Sequence, residues 1–400
     1  MIRALAIVVA IGYACLPLFP AFITLSPASI PGVSMVPPIA AAVLLILMCI
    51  AAAIGGLLLL KTSWAEQPLV APLALWLAAG VLSAALGFAP LYGAVFIGIF
   101  AMGIIWHAAI LRCYDEAGAA TTIFAAMLGA ASIAFLVAIV TALVHHPASI
   151  YAAEHGRAVG SFILPGELAG YSLVIVPTAY AVARASRHLA LRALAWLAAG
   201  SGTLALVLTF SRTGWVAAAC VAIAYVLLTN GAHRRSLQIG TAIAAGTALI
   251  LAVAFNAHHD PSENYTRLSI WQTALGIARR FPLTGSGPFT FGSMYAHLRL
   301  PDGDAVAYHA HDLYLTLLAE TGVLGLLAML ATWWQFLRAW LRRIAQAPPQ
   351  ARTFSAAILA GMIGTLVQGT IDTSTLVLFG LWLPTMALAL ASARSGIGDA

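Results

Sequence analysis

Residues 121–144 read TTIFAAMLGAASIAFLVAIVTALV. No charge and no proline interrupts the run, and a helix of this length is about 36 Å long, enough to cross a hydrocarbon core of roughly 30 Å. A lipid bilayer is the natural solvent for it. Working outward, comparable apolar runs occupy 4–26, 37–60, 69–87, 90–111, 161–183, 192–210, 213–229, 237–255, 311–338, 353–371 and 374–393. With 62% hydrophobic and only 8% charged residues, the 400-residue chain has too little polar surface to cover itself in water. The runs predict an all-α polytopic integral membrane protein of about twelve transmembrane helices, with both termini on one side.

Charge tests the drawing independently, because Lys and Arg of short loops gather on the cytoplasmic face. Arg3, Lys61, Arg112, Arg184, Arg187, Arg192, Arg234, Arg235, Arg338, Arg342, Arg343, Arg352 and Arg394 all fall on one side. Both termini are therefore expected in the cytoplasm. The outward remainder is Arg157, Arg212, Arg267, Arg279, Arg280 and Arg299, and these six require their own explanation. The net charge of +6 reflects topology, and no basic stripe interleaved with aromatics points to nucleic acid.

The first run resembles a signal peptide, but Pro17 and Pro20 break its apolar core, so it is read as an uncleaved helix. Cys15, Cys49, Cys113 and Cys220 lie in or near predicted spans and suggest neither a disulfide framework nor a paired-cysteine zinc site.

Most connections are short, so the chain is expected to form one transmembrane helical domain, residues 1–400. The exception is a large outward loop, 256–310, too long to lack structure of its own. Within it, Leu268, Trp271, Leu275 and Ala278 recur at spacings of three and four, predicting a helix from Tyr265 to Phe281 that ends before Pro282 and lies along the membrane surface. Gly285, Gly287 and Pro288 then mark a tight turn.

Candidate chemistry clusters on this outward side. In Ser211-Arg212-Thr213-Gly214-Trp215, Arg212 sits between two runs at the membrane boundary, where it is either an interfacial anchor beside Trp215 or a planar fork for phosphate oxygens. Arg267 opens the predicted surface helix, where the helix dipole disfavours a cation and a ligand role gains weight. Arg279 and Arg280 close that helix and complement its dipole. In His309-Ala310-His311-Asp312, at the mouth of the tenth run, His311 is a candidate base and Asp312 a candidate cap. A helix over 311–338 would be about 42 Å long, so its first turns project outward or tilt. Glu320 follows on the same run; on a straight helix it faces away from His311 and is expected to order the bundle. His309 and His311, with His258, His259 and Asp260, form a weak alternative metal set.

These motifs resemble the O-antigen ligase and polymerase family of bacterial envelope glycosyltransferases. That family carries a His followed by Asn, Ser or Gln, then nine residues, a Gly, two residues, and Gly, Thr or Tyr. Here His311-Asp312 is followed by nine residues, Gly322, two residues and Gly325, with Asp312 the one departure. The S-R-T-G-W segment, the stretch from Arg267 and Trp271 to Gly285-Ser286-Gly287, and the large loop before the His add to the resemblance over most of 160–330. It implies a C-type glycosyltransferase-like fold and an inner-membrane enzyme with a periplasmic active site. A glycan would pass from undecaprenyl diphosphate to lipid A-core with inversion of the anomeric carbon. The resemblance also implies His311 as general base, Arg212 and Arg267 as diphosphate ligands, supporting places for Asp312, Glu320, Trp271, His309 and Arg280, and no metal, nucleotide or other cofactor. Membrane lipids and the two lipid-linked glycans are the expected partners, not nucleic acid.

An O-antigen polymerase of the same family is the nearest alternative; a single dominant outward loop favours the ligase. Protein O-oligosaccharyltransferases tend to carry more sequence after the last span. A secondary transporter would show repeated halves with helices broken near the midplane, and no such repeat is visible.

Overall fold

The computed structural model describes all residues except 1, 19–37, 61–66, 146–155, 163, 231–234, 236–237, 241, 245, 248–261, 302, 304–306, 373–374 and 396–400. Every element among the described residues is helical. Eleven helices coincide with eleven of the twelve predicted runs: α1 (Ile2–Cys15), α2 (Pro38–Leu59), α3 (Val70–Leu86), α4 (Pro90–Cys113), α5 (Ala119–Val144), α6 (Pro165–Ala185), α7 (Leu189–Leu208), α8 (Arg212–Asn230), α11 (Leu313–Ile344), α12 (Pro349–Gln368) and α13 (Thr375–Ser395). Between α8 and α11 lie α9 (Ser262–Arg280) and α10 (Phe291–Leu298). Run 237–255 lies largely outside the described residues.

Seven helices are long and apolar enough to cross a membrane among the described residues: α4 to α8, α11 and α12. Three shorter apolar helices accompany them. α1 is one, and it stops earlier than its run because Pro17 removes a backbone donor; a short 3₁₀ turn, Leu16–Leu18, follows. The protein is an all-α polytopic membrane protein.

Its main core is a single cluster from Leu5 to Ala391, in which Trp76, Phe100, Phe124, Phe135, Trp340 and Trp382 are almost fully enclosed. At one end of the bundle Arg394 pairs with Asp115 at 3.3 Å and Arg343 donates to the Leu390 carbonyl. The opposite end carries a second, separate cluster built from Ile270, Ala274, Ile277, Phe291, Met294, Tyr295, Ala307, Ala310 and Ala319. This cap joins α9, α10 and the first turns of α11.

The cap packs on a face of α9 other than most of the stripe read from the sequence. Leu268 and Leu275 are 51% and 40% exposed, whereas Ile270, Ala274, Ile277 and Ala278 are buried. α9 offers two apolar faces, and the one bearing Ile270, Ala274 and Ile277 packs into the cap.

α11 is itself broken. Gly322 has φ 64 and ψ −169, far from helical. In an intact helix Val323 N would donate to Ala319 O and Leu324 N to Glu320 O. Instead the segment after α9 takes all four groups: Val323 N donates to Pro282 O at 2.9 Å, Leu324 N to Leu283 O at 3.2 Å, Ser286 N to Ala319 O at 2.9 Å and Gly287 N to Glu320 O at 2.9 Å. Residues 282–287 are thus spliced into the helix with no backbone group of the four orphaned. Glycine is required on both sides, since a β-carbon on Gly322 would meet the Leu283 carbonyl and one on Gly285 the Glu320–Thr321 peptide.

Beyond the break, residues 322–344 are about 34 Å long, sufficient to span by themselves. Residues 313–321 form a short arm that carries the start of α11 into the cap.

Candidate functional site

Four helix ends converge beneath the cap. Leu313 N donates to Gly369 O at 2.7 Å and Tyr314 Oη to Leu366 O at 3.0 Å, locking the start of α11 to the end of α12. Gln368 Nε2 donates to Gly166 O at 2.7 Å, which adds the start of α6. Gly214, in the first turn of α8, lies against Ala169 of α6.

At this junction Asp372, just past α12, sits over Gly166 and brings Oδ1 to 3.6 Å from His311 Nδ1. That is an ion-pair distance, longer than a hydrogen bond, and catalytic contacts of this kind tighten when substrate arrives. Asp372 is 8% exposed. Burial alone would raise its pKa, but the His311 contact and the positive charges of His311, Arg267 and His309 outweigh it and hold the carboxyl at about 2. A carboxylate at Nδ1 favours the tautomer with its proton there, leaving Nε2 open as a base.

His311 does not begin a helix. It has φ 48, in the left-handed region, and its side chain is 28% exposed. Asp312 is the N-cap of α11, its Oδ1 accepting Leu315 N–H at 2.7 Å, so the cap reading of the sequence corresponds to the geometry. Burial raises the Asp312 pKa. His309 is buried beside His311, with ring centroids 4.5 Å apart.

Arg267 lies near the start of α9, partly exposed, and its charge acts on both Asp372 and His309. Arg212 occupies the first position of α8. The turn before it is tight: Phe210 takes φ 48, and Ser211 Oγ accepts Gly214 N–H at 3.1 Å as a cap. Trp215 Nε1 donates to Leu206 O at 3.2 Å, satisfying a carbonyl at the end of α7. The turn therefore fixes a cation at a helix N-terminus, where the dipole disfavours it but welcomes an anion.

The remaining candidates divide. Glu320 is buried and its Oε1 accepts Phe291 N–H at 3.0 Å, capping α10. It orders the cap and does not meet His311; a straight-helix phase does not relate the two, because His311 precedes the helix. Arg280 is exposed in the last turn of α9, about 20 Å along the helix from Arg267, and is not brought to His311. Trp271 is partly buried, with Nε1 enclosed and without a hydrogen-bond partner among the described residues. Arg157 donates to the Thr209 carbonyl at 3.0 Å, next to the end of α7. His258, His259 and Asp260 of the alternative metal set lie outside the described residues.

Asp372 escaped the reading of the sequence. Its signal was a lone carboxylate in the short gap between runs ending at 371 and beginning at 374, on the same face as His311.

Residues 193–330 match the family model for O-antigen ligase. The match supports the O-antigen ligase/polymerase family of membrane glycosyltransferases. It covers about a third of the chain and takes in Arg212, Arg267, His311, Glu320 and Gly322; Asp372 lies beyond it. No curated protein matches the chain. Of the two candidate guanidiniums, Arg267 acts on the His311–Asp372 pair, whereas Arg212 stands in the first turn of α8, which packs on α6 through Gly214 and Ala169.

Proposed function

We propose that the protein is an O-antigen ligase of the bacterial inner membrane, with the cap and His311 on the periplasmic side. It transfers a glycan from undecaprenyl diphosphate to the lipid A-core oligosaccharide. The observation that carries this reading is the His311–Asp372 pair at 3.6 Å within the field of Arg267.

In the proposed reaction the acceptor hydroxyl oxygen attacks the anomeric carbon opposite the diphosphate. The carbon–oxygen bond to the diphosphate breaks, the diphosphate leaves with the electron pair, and the hydroxyl proton passes to His311 Nε2. Attack from the opposite face inverts the anomeric carbon. Asp372 orients the imidazole and stabilises the imidazolium that forms. Arg212 and Arg267 hold the diphosphate oxygens and neutralise charge as it develops, so the scheme needs neither a metal ion nor a nucleotide. Asp312 and Glu320 act by holding the arm of α11.

The test uses purified protein in detergent with undecaprenyl diphosphate-linked glycan and lipid A-core, chelator present and nucleotide absent, following the acceptor's mass. The expected result is a shifted acceptor band that His311→Ala does not produce and that Asp372→Asn produces about tenfold to a hundredfold more slowly at unchanged donor KM. Elongation of the donor with the acceptor unshifted would assign the protein to polymerisation instead. Normal transfer by a folded His311→Ala protein would remove the base role.

A further inference from the structure

We infer that His309 is a positioning residue for this reaction: its imidazole fixes the backbone and ring of His311, so that the base shows one nitrogen to Asp372 and the other to substrate. The inference rests on the function proposed above.

His311 adopts φ 48 without being glycine or asparagine. Such a conformation persists where the surroundings over-determine it, and here they are specific. The His311 backbone N–H donates to His309 Nδ1 at 3.1 Å. The two rings meet edge to face, 67° apart. Ala310 between them is fully buried, and its N–H donates to Thr316 Oγ1 at 3.0 Å. Thr316 Oγ1 in turn donates to the Asp312 carbonyl at 2.7 Å. The pair is therefore asymmetric: His309 is 4% exposed and immobilised, while His311 reaches the surface.

Because Nδ1 of His309 accepts, the proton of its neutral form sits on Nε2. That nitrogen is buried and has no hydrogen-bond partner among the described residues. Leaving a buried donor unsatisfied costs stability, and a leucine would fill similar space without that cost. What an apolar side chain lacks is the acceptor for His311 N–H. The retained cost points to what the imidazole does, which is to supply an acceptor that helps hold His311 in its left-handed geometry. It does not touch the reacting atoms.

His309→Leu removes the acceptor and keeps bulk; His309→Asn keeps an oxygen near the Nδ1 position. Full-length proteins in detergent are compared by kcat and donor KM. The rate of His311 carbethoxylation by diethyl pyrocarbonate, measured on the peptide by mass spectrometry, adds a readout that needs no substrate. His309→Leu is expected to lose roughly tenfold or more in kcat with donor KM within about twofold, and to change the His311 labelling rate about threefold or more, whereas His309→Asn stays within about threefold of wild type in both. Wild-type kinetics and labelling in His309→Leu, or a His309→Asn protein as impaired as His309→Leu, would overturn the proposal. If His309→Leu does not accumulate, His309→Asn decides alone: near-wild-type turnover and labelling support the acceptor role, and a loss of about tenfold refutes it. If the wild-type protein transfers nothing, the proposed function fails, and the labelling contrast still decides what His309 does.

Discussion

At the residue scale, the two groups flanking His311 titrate over different ranges and can be told apart above about pH 4. His309 is held down from its ordinary 6.5 to about 3, by burial first and the charge of His311 second. In the unfolded chain it takes a proton below about pH 6.5, but in the folded protein it does so only near pH 3. Between those values the unfolded state binds more protons, so stability falls as pH is lowered. Asp372 acts in the same direction but at lower pH. With its folded pKa at about 2, its stabilisation is complete above the ordinary carboxylate value and is lost as pH falls toward 2. Thermal unfolding followed by tryptophan fluorescence should therefore show a lower Tm at pH 4.5 than at pH 7. His309→Asn should shrink that difference, while Asp372→Asn should leave it in place. An equal difference in all three proteins would assign the loss to other groups.

At the element scale, the splice of residues 282–287 into α11 explains the spacing of the motif. Nine residues after Asp312 the helix must break, and only a residue tolerating φ 64 beside the Leu283 carbonyl can occupy the break. The arm that results is nine residues long, bearing His311 before one end and the splice at the other. α9 runs beside it in the opposite sense, with Arg267 toward His311 and Arg280 toward the splice. One rigid unit thereby sets the separation of a proposed base from a proposed diphosphate ligand. Gly322→Ala is expected to cost at least about 2 kcal/mol, from backbone strain and displacement of the loop. Chemical denaturation in detergent measures it. Hydrogen exchange at residues 282–287 should rise in the same variant, and unchanged protection there would show that the splice does not depend on this glycine.

At the scale of the whole molecule, the core between the spanning helices and the cap obey different physics. Between helices in lipid, apolar contacts gain little from the solvent, so association rests on close packing. The cap cluster lies past the part of α11 needed to span, where burial away from water contributes at about 25 cal/mol per Å². Ile277→Ala, at a fully buried cap position, should cost about 2–4 kcal/mol and raise exchange across residues 262–298 while leaving the bundle protected. Loss of protection throughout α4 and α5 would mean that the two cores unfold together. The sequence alone determined the helical membrane architecture, the boundaries of most spans to within a few residues, and the His311–Gly322–Gly325 spacing. These are local properties: lipid demands helices with self-satisfied backbones, and apolar length and proline placement are written residue by residue. Only the tertiary structure decided that Asp372 partners His311, that Ile270 and Ala274 rather than Leu268 and Leu275 face the core, and that a loop completes the hydrogen bonds of a broken helix. Each of these depends on which helix ends meet, and hydropathy carries no record of that, because lipid-facing and protein-facing surfaces of a span are equally apolar.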